Sequence, residues 1–346
     1  MRVLVTGATG FVGGRLVPAL LEAGHDVVVL VRDPERYDPP DGVEVRGGDL
    51  LEHGSFESAL EGVDAVYYLV HSMRAGEDYA ERDRRAAHNF AAAAEEAAVD
   101  RVVYLGGLGE ERDHLSEHLR SRREVEYILA NAEFDLTSLR AAVIVGDGSA
   151  SFRMVEQMAD RLPVMVAPKW VRTPVQPIAI ADVLRYLVGV LDVEATRGET
   201  YEIGGPEVLT YEAVIRRTAR VLNGEEPYIL PVPVLSPRLS AYWMGLVTDV
   251  PRSVAHPLVL GLKNPVVVSD HRIEELVPFE RTPFDEAVRA ALGDRAEGEK
   301  AGEDEERDGE GPEQVPVDEP GEGGEGTGDE ATDSDSESSS ERPELG

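Results

Sequence analysis

The sequence predicts an α/β protein: a doubly wound parallel sheet with a small C-terminal α/β lobe and a disordered acidic tail. Three observations predict it. Short apolar runs rich in β-branched residues alternate with helical patterns through about residue 140, the interval expected of parallel βαβ units. A glycine turn joins the first run to the first helix. Past Leu292 the apolar residues almost vanish, and such a segment cannot bury enough surface to offset the entropy of ordering.

The first unit occupies residues 1–32. Residues 2–6, Arg-Val-Leu-Val-Thr, read as a buried strand that stops at Gly7, Ala8, Thr9, Gly10, Phe11, Val12 and Gly13. Each glycine has a physical use: a tight turn, close backbone approach to a pyrophosphate, and a helix start lying flush on the sheet. The amino end of that helix then faces the anion. Pro18 falls inside the helix, where a local kink is expected. Gly24 ends the helix, and residues 26–31 form the second strand.

Arg32 follows that strand. An acidic residue here would bond a ribose 2′-hydroxyl, whereas an arginine accommodates a 2′-phosphate. Arg32, with Arg36 nearby, therefore favours NADP(H), and Asp33 keeps NAD(H) open. Residues 43–46 read as a third strand, followed by Gly47, Gly48, Asp49 and Leu50 and a helix over 55–61. The fourth strand spans 65–70 and runs into His71. Carboxyl ends of parallel strands face the ligand crevice, so Leu69, Val70 and His71 are expected to line the ribose and nicotinamide side. A long alanine-faced helix covers 79–98, the fifth strand 101–105, a helix 115–131 and the sixth strand 135–140.

Residues 146–152 connect to a helix over 152–161, and the proline-punctuated run 162–170 follows. Residues 176–183 lead into a helix through 191 that Asp182 is expected to cap. Residues 200–211 read as strand, turn and capped helix. The apolar residues 229–235 and 239–247 are too short and proline-broken to span a bilayer. Core packing is the leading reading for them, with an apolar pocket or a face for a partner protein as alternatives.

Composition narrows the function. There are 67 acidic against 34 basic residues, a net charge of −33, and lysine occurs only at 169, 263 and 300. From Asp294 onward 21 acidic residues face 4 basic ones, a net of −17, which leaves −16 on the body. Such a surface excludes nucleic acid as a partner, because that partner needs a basic footprint. It resembles the surfaces of proteins from salt-accumulating organisms, where self-repulsion is screened. No cysteine is present, so disulfides, thiolate metal sites and cysteine nucleophiles are excluded. A strand at the very start leaves no room for a secretory signal, and a cytoplasmic location is expected.

Thr6 through Gly13 resemble the fingerprint of the extended and atypical short-chain dehydrogenase/reductases. With residues 67–73, with Gly106-Gly107-Leu108-Gly109 and His118 through Arg122, and with residues 200–206, the resemblance is to one subgroup: NAD(P)H-binding proteins like the NmrA-like redox sensors and the nucleotide-binding accessory subunit of respiratory complex I. It covers about residues 1–290. The resemblance implies a Rossmann domain over 1–145, an interleaved substrate lobe over 146–293, some of whose segments return to the sheet, and the acidic tail over 294–346. It also implies that Asp49 and Leu50 contact the adenine ring.

Typical members of the superfamily carry a serine after the fifth strand and a Tyr-x-x-x-Lys pair on the next helix. This chain has Gly106-Gly107 at the serine place, and His118 and Arg122 at the i, i+4 spacing of the pair. Histidine can donate a proton near neutral pH, and arginine can hold a ribose hydroxyl but cannot release its own proton. His118 and Arg122 are thus the catalytic candidates, and Arg122 and Gly106 are also cofactor contacts. The expected function is hydride transfer between NADP(H) and a small apolar carbonyl or quinone, with no metal. The alternatives are a non-catalytic NAD(P)H sensor or respiratory-complex assembly protein, and a nucleotide-sugar or steroid epimerase/dehydrogenase, which the missing tyrosine weakens.

Overall fold

The computed structural model describes residues 1–72, 78–109, 117–232, 249, 262 and 264–295, all within one unit, Met1–Lys300. The acidic tail from residue 296 and the apolar residues 239–247 lie outside the described residues. The chain forms β1 (Arg2–Thr6), α1 (Gly13–Glu22), β2 (Asp26–Val31), β3 (Glu44–Gly47), β4 (Ala65–Tyr68), α2 (Tyr79–Glu96), β5 (Arg101–Gly107), α3 (Glu117–Ala130) and β6 (Asp135–Ala141). Then come β7 (Ile144–Val145), α4 (Ala150–Arg161), β8 (Val164–Pro168), β9 (Pro174–Val175), β10 (Ile178–Ala179), α5 (Ile180–Gly189), β11 (Thr200–Ile203), β12 (Leu209–Thr210), α6 (Tyr211–Asn223) and β13 (Tyr228–Val232).

The main sheet is seven-stranded in the order β11-β6-β5-β4-β1-β2-β3, and every pairing in it is parallel. It is doubly wound. Strand order reverses between β1 and β4, the place where open α/β sheets bind ligands, in the crevice outside the carboxyl ends of the strands. Both faces are covered, which is why β1 and β2 read as unbroken apolar runs and do not alternate. Val3, Val5, Tyr67 and Val103 pack on one side with α1 and α5. Leu4, Val66, Tyr68 and Tyr104 pack on the other with α2 and α3, where Ala86, Ala87, Phe90 and Ala94 make the helix contact. A second core, built from Phe152, Met158, Trp170, Ile215 and Val288 among others, joins α4, α6 and the helical residues 284–295. Ile229 of β13 belongs to it, while Tyr228 and Leu230 are exposed.

Several boundaries differ from the sequence expectation. The segment expected to be a helix over 55–61 is a single 3₁₀ turn, Glu57–Leu60. It is pinched between Gly54 and Gly62, whose φ values are +84° and +69°, too short a span to repay helix nucleation. Asp182 does not cap α5. Ala179 is the N-cap, and the buried Asp182 carboxylate instead accepts hydrogen bonds from Thr282 N–H at 2.7 Å and Thr282 Oγ1–H at 3.0 Å. β5 continues through Gly106 and Gly107, which pair with Arg140 and Ala141. α1 runs through Pro18, which lies on its exposed side.

Candidate functional site

The glycine turn closes the end of β1. Gly7 adopts φ +73°, and a Cβ there would lie 2.8 Å from Leu69 O. A Cβ on Gly13 would lie 2.2 Å from Gly7 O. Gly10 N–H donates to Gly7 O at 2.9 Å. Neither outer position tolerates a side chain, so the requirement is local and steric. Ala8 and Gly13 are buried beneath the turn, Phe11 and Val12 are half-buried, and Thr9 and Gly10 are exposed at its tip. α1 has no side-chain cap and no acidic residue in its first turn; Gly14 N–H donates to Gly10 O at 2.9 Å and Arg15 N–H to Val12 O at 3.1 Å, so what this end offers an anion is the positive end of the helix dipole.

Two neighbours hold the turn in place. Thr6 Oγ1 donates to Tyr67 O at 3.0 Å and accepts from Leu69 N–H at 3.2 Å, locking the ends of β1 and β4 together. Arg15 donates to Phe11 O at 3.1 Å and Asp147 O at 2.9 Å, with its guanidinium 4.8 Å from the Phe11 ring centre. The connection into α4 is thereby pinned to the turn.

On the β2 side, Arg32 is exposed. Asp33 is engaged by Arg36 Nε at 3.1 Å, and no ion pair joins Arg32 to another described residue. Gly48 N–H bonds Val31 O at 3.0 Å, which brings Asp49 and Leu50 beside the end of β2. Asp49 Oδ1 accepts Leu51 N–H at 2.9 Å, and the buried Leu50 gives its carbonyl to Asn89 Nδ2 at 2.7 Å. On the β4 side, Leu69 and Val70 are half-buried and His71 is exposed. Gly106 closes the row on β5, next to β4.

The residues expected to act catalytically sit behind this row, on α3. His118 lies in the first turn of that helix, and its side chain is outside the described residues. Arg122 is 8 % exposed. Its Nη2 stands 3.9 Å from Asp83 Oδ2, and Tyr104 Oη donates to its carbonyl at 3.1 Å. Burial pushes the Tyr104 hydroxyl up to about 12 and raises Tyr68 as well, so neither is a ready acid. Arg123 of α3 donates to Gly109 O and fixes the residues after β5.

Sequence reasoning missed Asp83 and Ser121. Asp83 Oδ1 accepts Ser72 N–H at 2.7 Å, and Oδ2 accepts Ser121 Oγ–H at 3.3 Å. The signal was present: Asp83 falls on the stripe Tyr79, Ala86, Ala87 and Phe90, which is otherwise apolar and buried, and a carboxylate there must be partnered. Among the described residues no cluster of side chains is suited to a metal ion, and no helix is long and apolar enough to cross a membrane.

The site fits a dinucleotide: a glycine turn with no room for side chains, the uncapped positive end of a helix, and, one strand away, an exposed arginine with no ion pair to another described residue. A family profile described as NAD(P)H-binding matches residues 7–168. Over 277 residues the chain is 25% identical to the mitochondrial NADH dehydrogenase (ubiquinone) 1 alpha subcomplex subunit 9 of Arabidopsis thaliana, covering 75% of this chain and 67% of that one. It is 28% identical over 223 residues to the (4-alkanoyl-5-oxo-2,5-dihydrofuran-3-yl)methyl phosphate reductase of Streptomyces griseus, covering 64% of this chain and 74% of that one. A solved structure of a nucleoside-diphosphate-sugar epimerase from Staphylococcus aureus superposes with a TM-score of 0.67 at 17% identity, covering 83% of this chain and 99% of the other. That last likeness is one of fold.

Proposed function

We propose, because a profile described as NAD(P)H-binding matches residues 7–168 and the seven-stranded parallel sheet has the fold of a nucleoside-diphosphate-sugar epimerase, that the protein is an NADP(H)-dependent oxidoreductase acting on a small apolar carbonyl or quinone. The observation that carries this reading is the Gly7–Gly13 turn: a Gly13 Cβ would lie 2.2 Å from Gly7 O, so the turn is bare backbone at the amino end of α1, where a phosphate can approach. Residues 1–145 hold the cofactor in this reading, and residues 146–293 receive the substrate. The amides of the glycine turn and the start of α1 grip the diphosphate, Arg32 meets the 2′-phosphate, and Asp49 and Leu50 flank the adenine. Leu69, Val70, His71 and Gly106 line the nicotinamide half.

When bound, the nicotinamide supplies a hydride. The chain's own part is to position the carbonyl and deliver a proton. Gly106 and Gly107 bring no hydroxyl to the end of β5, so the His118 imidazole is assigned the proton and Arg122 a ribose hydroxyl. Arg15 and Phe11 hold the connection into α4 against the turn and shield its flank from water.

Two observations favour a second reading, an NAD(P)H-binding sensor or accessory module that transfers nothing. The serine position is glycine, and the relative that matches 75% of this chain is a respiratory-complex subunit. Titration of intrinsic NADPH fluorescence, then stopped assays with a quinone panel in molar potassium chloride, separates the two. An oxidoreductase oxidises NADPH faster than its His118→Ala variant does. Equal rates with intact binding leave the accessory role.

A further inference from the structure

The buried Asp83 of α2 reaches two different elements through its two carboxylate oxygens. It is 3 % exposed. Oδ1 takes the Ser72 N–H at 2.7 Å, in the segment that leaves β4. Oδ2 takes the Ser121 hydroxyl at 3.3 Å and faces Arg122 Nη2 at 3.9 Å, both on α3. Tyr68 and Tyr104 wall the same space from the sheet, their rings 6.2 Å apart.

A carboxylate in this position is costly unless each oxygen is used. A partner for Arg122 alone would need nothing from a loop amide eleven residues away in sequence. An acceptor for the amide alone could be an asparagine. Moreover, 3.9 Å is beyond hydrogen-bond range, so the Arg122 N–H groups are opposed by a charge but make no hydrogen bond to another described residue. No Arg122 nitrogen is among the buried side-chain atoms that lack a partner, so these donors still reach solvent and are open to an acceptor on a ligand.

We infer that Asp83 is a positioning residue that sets the 69–72 segment and the Arg122 guanidinium in register with each other, ordering the nicotinamide-ribose half of the crevice and not its adenine half. The inference rests on the proposed cofactor reading, which places Leu69, Val70, His71 and Arg122 on that half. The ligand acceptor for Arg122 is then a ribose hydroxyl, a neutral group suited to a guanidinium whose charge is already countered.

The test compares the whole cofactor with the fragment that lacks its nicotinamide end. Full-length protein, Asp83→Ala and Asp83→Asn are titrated calorimetrically with NADPH and with adenosine 2′,5′-bisphosphate. For Asp83→Ala the NADPH Kd rises about tenfold, the loss of one charge-assisted contact, while the bisphosphate Kd is unchanged. Asp83→Asn keeps an acceptor for Ser72 N–H and loses the charge, so it recovers part of the NADPH affinity. If Asp83→Ala does not fold, Asp83→Asn carries the test, with NADPH weakened about threefold and the bisphosphate unaffected. Equal losses for both ligands, or no loss for either, overturn the inference and leave Asp83 a structural group. Wild-type protein that binds neither ligand overturns the cofactor reading first, and this one with it.

Discussion

Two arginines are buried at opposite ends of the same sheet, and they are satisfied in opposite ways. Arg101 opens β5, 1 % exposed. Its guanidinium donates to Leu191 O at 3.1 Å and Val190 O at 2.7 Å, and to the hydroxyls of Thr137 and Thr196 at 3.1 and 2.5 Å. Those carbonyls lie just past the carboxyl end of α5, where a cation offsets the helix dipole. Arg122, beside the far end of β5, faces one carboxylate at 3.9 Å and keeps its donors. Arg101 spends Nη1 and Nη2 on four protein acceptors and leaves only its buried Nε without one, whereas Arg122 spends no side-chain donor on a hydrogen bond to a described residue. Burial alone therefore does not separate a structural charge from a functional one; how many of its donors the protein itself engages does.

Arg101→Met sharpens that contrast most. It takes the donor away from Leu191 O and from the hydroxyls of Thr137 and Thr196 in a buried site, while Val190 O keeps the Thr196 hydroxyl at 3.0 Å, and a loss of about 4 kcal/mol is expected. A calorimetric melt reads it as a large fall in Tm. The NADPH Kd of the folded fraction stays where it was, because nothing at the crevice end has moved. A Kd that falls apart along with the fold would erase the distinction between the two ends.

Gly13→Ala is the converse. The new methyl must displace Gly7 O from 2.2 Å, so the turn opens and the phosphate amides lose their alignment. Affinity for either nicotinamide dinucleotide drops about 100-fold, equivalent to about 2.7 kcal/mol, while the Tm falls less than for Arg101→Met. Arg32→Ala acts more narrowly at the same end: NADPH weakens about tenfold and NADH is unchanged, since only the former brings a phosphate for the guanidinium. Equal affinities of the wild type for the two would remove Arg32 from the specificity argument.

The crevice was legible in the sequence where its physics is local. Gly10 and Gly13 announce a steric requirement satisfied within seven residues, by Gly7 O, and the strands before and after the turn are unbroken apolar runs. What escaped is nonlocal. The hydrogen-bond donors to Asp83 lie 11 and 38 residues away, and Thr282, which donates twice to Asp182, lies 100 residues away, which is why one was overlooked and the other was read as a helix cap. The helix expected over 55–61 failed for a different reason, two glycines at positive φ that sequence alone marks only as turns. Fold class survives such errors because it depends on many short elements, whereas the catalytic assignment depends on single side chains placed by tertiary packing.

The smallest expected effect belongs to the end away from the crevice. Glu44, at the start of β3, accepts from Arg2 Nη2 at 2.5 Å and Arg46 Nε at 2.6 Å. The hydrogen bond from Arg2 holds its carboxyl below the usual range, with Arg46 adding to the effect. Between that lowered value and the ordinary carboxylate value, the unfolded chain binds the proton that the folded chain refuses, so stability falls as pH drops through this window and is fully present above it. Glu44→Gln has no such group. Its unfolding free energy therefore lies slightly below that of the wild type at pH 7, and the gap closes as the buffer is taken below the carboxylate range. The pair is half-exposed and screened by salt, so molar potassium chloride shrinks the gap at neutral pH, and NADPH affinity is the same in both proteins. A Glu44→Gln protein that instead lost cofactor would mean that the edge of the sheet communicates with the crevice, and the division of labour between the two ends would have to be abandoned.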